Sequence, residues 1–139
     1  MKFLALSDNF IMPTKGSKEA AAFDIYMPTP GQVQGGAIQI PLGFATAIPK
    51  GYVALIFPRS GVGSKLGLEL NNTCGVIDAD YRGEWLATLR TKSCMPCSWN
   101  QGDRILQFIL VAVPDVTPEL VEVLDDTDRG TGGLGSSGK

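Results

Sequence analysis

Seventeen glycines and nine prolines punctuate this 139-residue chain at short intervals. That spacing leaves little room for long helices, which commonly run to about eleven residues, and favours strands of about five or six. The runs between the breakers read as strands. Residues 3–7, 38–40, 44–48 and 52–57 are apolar or alternating. Residues 103–113 form the most apolar run, and residues 120–124 close the series. In residues 20–26, Phe23 and Ile25 alternate with Asp24 and Tyr26. The alanines before them also permit a helix, but Pro28 and Pro30 cut it short. Residues 29–36 and 93–98 read as turn-rich connections. One helical stretch is expected over residues 60–67, capped by Ser60 and stopped at Gly67. The sum is an all-β chain of one domain.

The chemistry concentrates in residues 68–89. Leu68 and Leu70 end in the polar break Asn71-Asn72-Thr73, and the apolar run Gly75-Val76-Ile77 follows. Asp78, Asp80, Tyr81, Arg82 and Glu84 then crowd together before Trp85, Ala87 and Leu89 alternate again. Strand-like runs flanking a polar tip predict a hairpin. An extended backbone would place Asp78 and Asp80 on one face, with Ile77 and Tyr81 screening them from bulk water. A carboxylate so placed can act as a base on water, against the plainer alternative of a solvated turn.

Composition removes several chemistries. There is no histidine, so Ser-His-Asp and Cys-His nucleophile systems and HExxH zinc sites are excluded. A net charge of −2 provides no basic field for nucleic acid. Three cysteines make an odd count with no disulfide framework, which points to a reducing, cytoplasmic setting. The apolar start is too short for a signal peptide, and no run reaches the ~18 apolar residues of a membrane span.

Three further motifs need weighing. Arg59, Ser60 and Gly61 sit where a strand meets the short helix, an arrangement that suits a phosphate or serves as a simple cap. Cys94-Met95-Pro96-Cys97 is a CxxC. A zinc site would need ligands beyond Cys74, so the reading is ordinary loop thiols. The tail from Gly130 formally matches GxGxxG, and Gly133 to Lys139 matches the first seven positions of a P-loop. Both patterns need a following helix, for which no residues remain. Arg129 and the tail's hydroxyls and N–H groups can still wrap an anion, or the tail can simply be disordered.

Five blocks in order resemble the trimeric dUTPase family over nearly the whole chain: AAAFDIY around Asp24, PRSGVGSKLGL from Pro58, NTCGVIDADYRG from Asn72, GDRILQ from Gly102 and RGTGGLGSSG from Arg129. The resemblance implies a jelly-roll-like β-barrel protomer with one short helix, assembled as a homotrimer with shared sites. It implies Mg²⁺-assisted hydrolysis of dUTP to dUMP and pyrophosphate, which limits uracil in DNA and supplies dUMP for thymidylate synthesis. Asp78 matches the carboxylate that activates water for in-line attack on the α-phosphorus. Tyr81 matches the tyrosine packed on the deoxyribose. Asn72, the backbone of Gly75, Val76 and Ile77, and Leu86 match the uracil-reading segment. Arg59, Ser60, Gly61 and Gln107 match phosphate-binding positions, and Asp24 the acid that meets the metal through water. Arg129, Leu134, Gly135, Ser136 and Ser137 fall in a C-terminal lid over residues 126–139, donated by a neighbouring chain. Leu134 departs from the usual aromatic, so stacking over uracil is replaced by apolar cover. Ala22 and Leu106 depart from the usual glycine and alanine, changes expected only in packing.

Two rivals remain. A deoxycytidine triphosphate deaminase of related fold would need a glutamate base, against which Asp78-Ala79-Asp80-Tyr81-Arg82-Gly83 argues. A binding or regulatory protein would use the same fold to hold a nucleotide or a protein partner.

Overall fold

The computed structural model describes residues 1–133. Strand β1 is Lys2–Ala5, β2 Thr14–Lys15, β3 Phe23–Ile25, β4 Gly31–Val33, β5 Ala37–Pro41, β6 Phe44–Ala47 and β7 Tyr52–Pro58. Helix α1, Ser60–Leu66, is followed by β8 Leu68–Leu70, β9 Gly75–Ile77, β10 Leu86–Thr91, β11 Cys97–Trp99 and β12 Leu106–Ala112. The strand-rich plan with one short helix among the described residues is the one expected. The strands form a five-stranded sheet in the order β2-β3-β12-β7-β9, a three-stranded sheet β5-β10-β8, and the pairs β1-β6 and β11-β4. All their pairings are antiparallel.

The longest ladder joins β7 to β12 over seven residue pairs. Along β7, Ala54 and Ile56 are buried, whereas Val53, Leu55 and Phe57 are only half-buried. This is the period-two alternation of a sheet with one face in the core. At the centre lies an aromatic cluster. Trp85 is fully buried, with its ring 5.1 Å from Phe44 and edge-on to Phe108 at 5.3 Å. Its indole Nε1 donates to Thr46 Oγ1 at 3.1 Å, so the polar end of the ring is satisfied. Truncating Trp85 to alanine removes that packing and leaves a cavity. The expected cost is about 3–5 kcal/mol. Thermal unfolding followed by circular dichroism should show a midpoint lowered by about 10 °C or more.

Four expectations are corrected. Residues 29–36 and 93–98 are not simply connections, because Gly31–Val33 pairs with Cys97–Trp99. A Cβ on Gly31 would stand 2.3 Å from the Trp99 ring, so the indole takes the space a side chain would fill. Residues 120–124 form no strand. Leu120 is fully exposed and Val123 is 83% exposed, since among the described residues no strand pairs with them. Ser60 does not cap the helix: Arg59 is the cap residue, with extended backbone and no side-chain capping bond. Gly67 does end the helix, in the left-handed conformation at φ 66°.

The fourth correction concerns the central hairpin. Strands β8 and β10 pair as expected, Leu70 opposite Leu89. Gly75–Ile77, however, leaves that sheet and pairs with β7 in the five-stranded one. The Asp78 loop therefore runs from one sheet to another.

Candidate functional site

The predicted site residues fall into two groups on one strand. Pro58 ends β7 and hands the chain to Arg59. The Arg59 N–H donates to the Ile105 carbonyl at 2.9 Å, which ties the junction to the approach of β12. Asp24 on β3 lies opposite Gln107 on β12, and Gln107 lies opposite Phe57 on β7. Three neighbouring strands thus bring Asp24, Gln107 and Arg59 together. The Asp24 carboxylate is only 7% exposed and pairs with two guanidiniums: Arg59 Nε at 3.0 Å and Arg104 Nη1 at 3.2 Å. Gln107 Nε2 donates to the Pro58 carbonyl at 3.2 Å.

Ser60 and Gly61 open the helix and are exposed. The first intrahelical bonds run from the Val62 and Gly63 N–H groups to the Arg59 carbonyl. The Ser60 and Gly61 N–H groups precede these bonds and belong to the orphan donors of a helix start. A Cβ on Gly61 would meet nothing within 4 Å. Packing within the chain therefore does not require the glycine there, and close approach of a ligand is one reason to keep it.

The second group surrounds Asp78. Ile77 pairs with Ala54, so Asp78 leaves the sheet beside Val53. From Val53 to Pro58 is five residues of extended chain, or about 17 Å at ~3.3 Å per residue. One chain therefore holds Asp78 and Arg59 well apart. Asp78 is exposed and borders an open groove of about 820 Å³ lined by Lys50, Tyr52, Val76 and Asp115 among others. The screening of Asp78 expected from Ile77 and Tyr81 is absent within the chain, since Tyr81 is itself 42% exposed. Asp78 and Asp80 do not share an extended face either. The backbone turns at once, with the Tyr81 N–H donating to the Asp78 carbonyl at 3.2 Å.

That turn is held internally. Arg82 Nη1 donates to the carbonyls of Ala79 at 2.7 Å and Tyr81 at 2.9 Å. The Tyr81 hydroxyl donates to the Glu84 carbonyl at 3.0 Å. Glu84 Oε1 accepts from the Gly43 N–H at 3.0 Å, anchoring the loop to the strand bearing Phe44. A Cβ on Gly83 would stand 2.4 Å from the Tyr81 hydroxyl, so a side chain there would require the Tyr81 ring to shift.

Asn72 is exposed in the turn before β9. Its neighbour Thr73 is the one described non-glycine residue at positive φ, 66°. For a β-branched residue this stores of order 1–3 kcal/mol, a strain typical of ligand-facing turns. Strand β9 is the outermost of its sheet. One edge bonds β7, and no strand among the described residues pairs with the other edge. Leu86 starts β10 opposite Pro41 and is 44% exposed. Arg129 lies in an exposed turn, where its Nε donates to the Gly132 carbonyl at 2.9 Å. Leu134, Gly135, Ser136 and Ser137 lie outside the described residues.

The CxxC is divided between two environments. Cys97 is buried in β11 and Cys94 is exposed. Burial pushes the Cys97 thiol above its ordinary range, and burial does the same to Cys74. Since the thiolate is the reactive form, a disulfide reagent at mildly alkaline pH should modify one thiol per native chain promptly, Cys94. All three should react after denaturation, and a colorimetric thiol assay reads the difference. Among the described residues no cluster of three or more His, Cys, Asp or Glu could hold a metal. No helix among them is long and apolar enough to cross a membrane.

Sequence reasoning missed Arg104. It lies inside the GDRILQ block, but nothing in one dimension showed that it meets Asp24.

Comparison with known proteins places these residues in context. The family model described as dUTPase matches residues 8–138. Among curated relatives, the deoxyuridine 5'-triphosphate nucleotidohydrolase of Dictyoglomus turgidum is 40% identical, covering 91% of this chain and 90% of its own. That of Syntrophotalea carbinolica is 38% identical, covering 99% and 96%. The solved dUTPase of Staphylococcus bacteriophage 80alpha with dUPNHPP superposes with a TM-score of 0.88 at 27% identity, covering 99% of this chain and 98% of that one. A match over nearly the full length, from family, relatives and architecture alike, means that this chain belongs to the dUTPase family.

Proposed function

We propose that the chain hydrolyses dUTP to dUMP and pyrophosphate in the cytoplasm, with Asp78 as the base and with each site assembled from three copies. The observation that carries this reading is the division along β7. Phosphate-binding candidates gather at Arg59, and the carboxylate stands some 17 Å away beside Val53. A water on Asp78 can meet a phosphate at Arg59 only if the two residues come from different chains. The exposed apolar run around Leu120 and Val123 supports assembly, since it needs a partner surface.

In this mechanism the Ser60 hydroxyl, the Gly61 N–H, Arg59 and Gln107 hold the polyphosphate. The open edge of β9 pairs with the edge of uracil, aided by Asn72, with Leu86 alongside. Tyr81, fixed through its hydroxyl to Glu84, packs on the deoxyribose and leaves no space for a 2′-hydroxyl. Asp78 takes a proton from water as the oxygen attacks the α-phosphorus. The bond from that phosphorus to the bridging oxygen breaks in line, and pyrophosphate departs. Residues 126–139, with Arg129, Leu134, Gly135, Ser136 and Ser137, form the lid of a neighbouring site.

The residues present fit Mg²⁺ in one manner. Two of the roughly four lone-pair positions on the Asp24 carboxylate are engaged by Arg59 and Arg104. The remainder can receive a metal-bound water. Mg²⁺ keeps several waters and takes its other oxygens from substrate phosphates, so no protein cage is needed. When bound, Mg²⁺ neutralises charge on the triphosphate.

The test is pyrophosphate release from dUTP, dCTP and UTP with Mg²⁺, together with the mass of the protein in solution. Rapid release from dUTP alone and a threefold mass are expected. Ammonia released from dCTP, or a monomer active on dUTP, would overturn the reading.

A further inference from the structure

Gly43 turns the chain from β5 into β6 at φ 78°, and it is buried. Its carbonyl accepts from the Leu6 N–H at 2.8 Å. On either side of it the main chain bonds to Trp85. The Leu42 N–H donates to the Trp85 carbonyl at 2.9 Å, and the Trp85 N–H donates to the Phe44 carbonyl at 3.0 Å. The Gly43 N–H falls between these two bonds, and its acceptor is a side chain, Glu84 Oε1 at 3.0 Å. A buried N–H without an acceptor is costly, so this carboxylate completes the turn. Residue 84 is thereby fixed through its side chain, while Trp85 is fixed through its main chain.

The carbonyl of Glu84 is also the acceptor for the Tyr81 hydroxyl, at 3.0 Å. That carbonyl and the Trp85 N–H belong to one planar peptide unit. The unit is held by Phe44 at one end and receives the phenol at the other. The phenol reaches it by lying across Gly83, where an added Cβ would stand 2.4 Å from the hydroxyl. Tyr81 is 42% exposed, so burial alone does not fix its ring. What fixes it is a chain of contacts that runs through residue 84 to a buried turn.

We propose that Glu84 is a positioning residue for sugar selection: by clasping the buried Gly43 N–H, it sets the peptide on which the Tyr81 hydroxyl rests. The inference rests on the substrate and on the Tyr81 role proposed above. Glu84 acts through Tyr81 and makes no contact with the nucleotide. A ring excludes an extra hydroxyl only while it is held still, since a shift of about 1 Å is enough to spoil a fitted site.

The test uses Glu84→Asp and Glu84→Gln in the full chain, with steady-state rates for dUTP and UTP. Glu84→Asp keeps the charge and shortens the reach by one methylene. Glu84→Gln keeps the reach and an oxygen acceptor. In Glu84→Asp the ratio of kcat/KM for dUTP to that for UTP should fall about tenfold, part of the ~10²-fold discrimination that one hydroxyl commonly permits. Glu84→Gln should stay within about threefold of the native ratio, because the Gly43 N–H keeps its acceptor. Loss of folded protein lowers both rates together and leaves the ratio in place, so a merely structural role does not move this readout. Tyr81→Phe deletes the hydroxyl and should lower the ratio similarly. Combined with Glu84→Asp it should add little, since both changes act on one contact. A native ratio in Glu84→Asp, or a loss in Glu84→Gln as large as that in Glu84→Asp, would overturn the clasp. Should Glu84→Asp not fold, an unchanged ratio in Tyr81→Phe would overturn it instead. Calorimetry with dUMP and UMP repeats the comparison without turnover and separates the two proposals. A preference for dUMP that depends on Glu84 in a chain inactive on dUTP would keep the clasp and remove the reaction. Turnover of dUTP with a sugar preference indifferent to Glu84 would do the reverse.

Discussion

Replacing Asp78 with asparagine should lower kcat for dUTP by about 10²–10⁴-fold, the usual contribution of a positioned general base. The expected KM is nearly unchanged, since asparagine keeps the shape of the side chain and the candidate phosphate-binding residues lie elsewhere. The surroundings make the substitution clean. Asp78 is exposed within the chain, so no buried charge is created or lost. Its loop is held by Arg82 and Tyr81 through backbone carbonyls, which the substitution does not touch. Thermal unfolding should therefore match the native chain. Continuous pyrophosphate release under saturating dUTP reads the effect. A variant that keeps most of the native rate would show that another group activates the water.

The second large effect comes from combining two inactive chains. Arg59→Gln damages the phosphate half of a site and leaves Asp78 intact; Asp78→Asn does the opposite. Co-expressed in equal amounts, the two chains assemble at random. If Arg59 and Asp78 of one site belong to different subunits, about one site in four receives both native residues, and close to a quarter of the native rate returns. If both belong to one chain, every site carries a defect and the mixture stays inactive. The contrast depends on the spacing along β7 rather than on any assumed trimer geometry. Glutamine at position 59 keeps a polar side chain beside Asp24, and Arg104 still pairs with the carboxylate. The phosphate half then loses one charge without exposing an unpaired one.

How much of this was legible beforehand varies with the range of the interaction that decides it. Strands β7 and β12 were plain because each is a long apolar run, bounded by Gly51 and Pro58 in one case and by Gly102 and Pro114 in the other. Helix α1 was plain because Gly67 stops it. Strands β4 and β11 were hidden because three residues carry too little pattern. Their pairing is instead decided by Trp99 lying over Gly31, a contact across 68 positions. The hairpin was half right for the same kind of reason. Local pattern marked Gly75–Ile77 as a strand, but its choice of β7 over β10 depends on which sheet edge was open. Residues 120–124 read as a strand, but they pair with no strand among the described residues, and Leu120 and Val123 stay exposed. At the site, residue types pointed to the chemistry through Asp78, Arg59 and the missing histidines. The ion pairs that Asp24 forms with Arg59 and Arg104 could not be read from spacing.

Strand β7 has a further consequence for how this chain tolerates change. It is the ruler between the candidate phosphate-binding residues at Arg59 and the Asp78 carboxylate. Inserting one residue would turn Ala54 and Ile56 out of the core and bring Val53, Leu55 and Phe57 in. Inserting two would restore the facing and lengthen the rod by about 7 Å, which moves one reaction centre away from its neighbour. Length variation among natural versions should therefore collect in the turns at Gly35-Gly36 or near Met95, and leave residues 52–58 uniform in number.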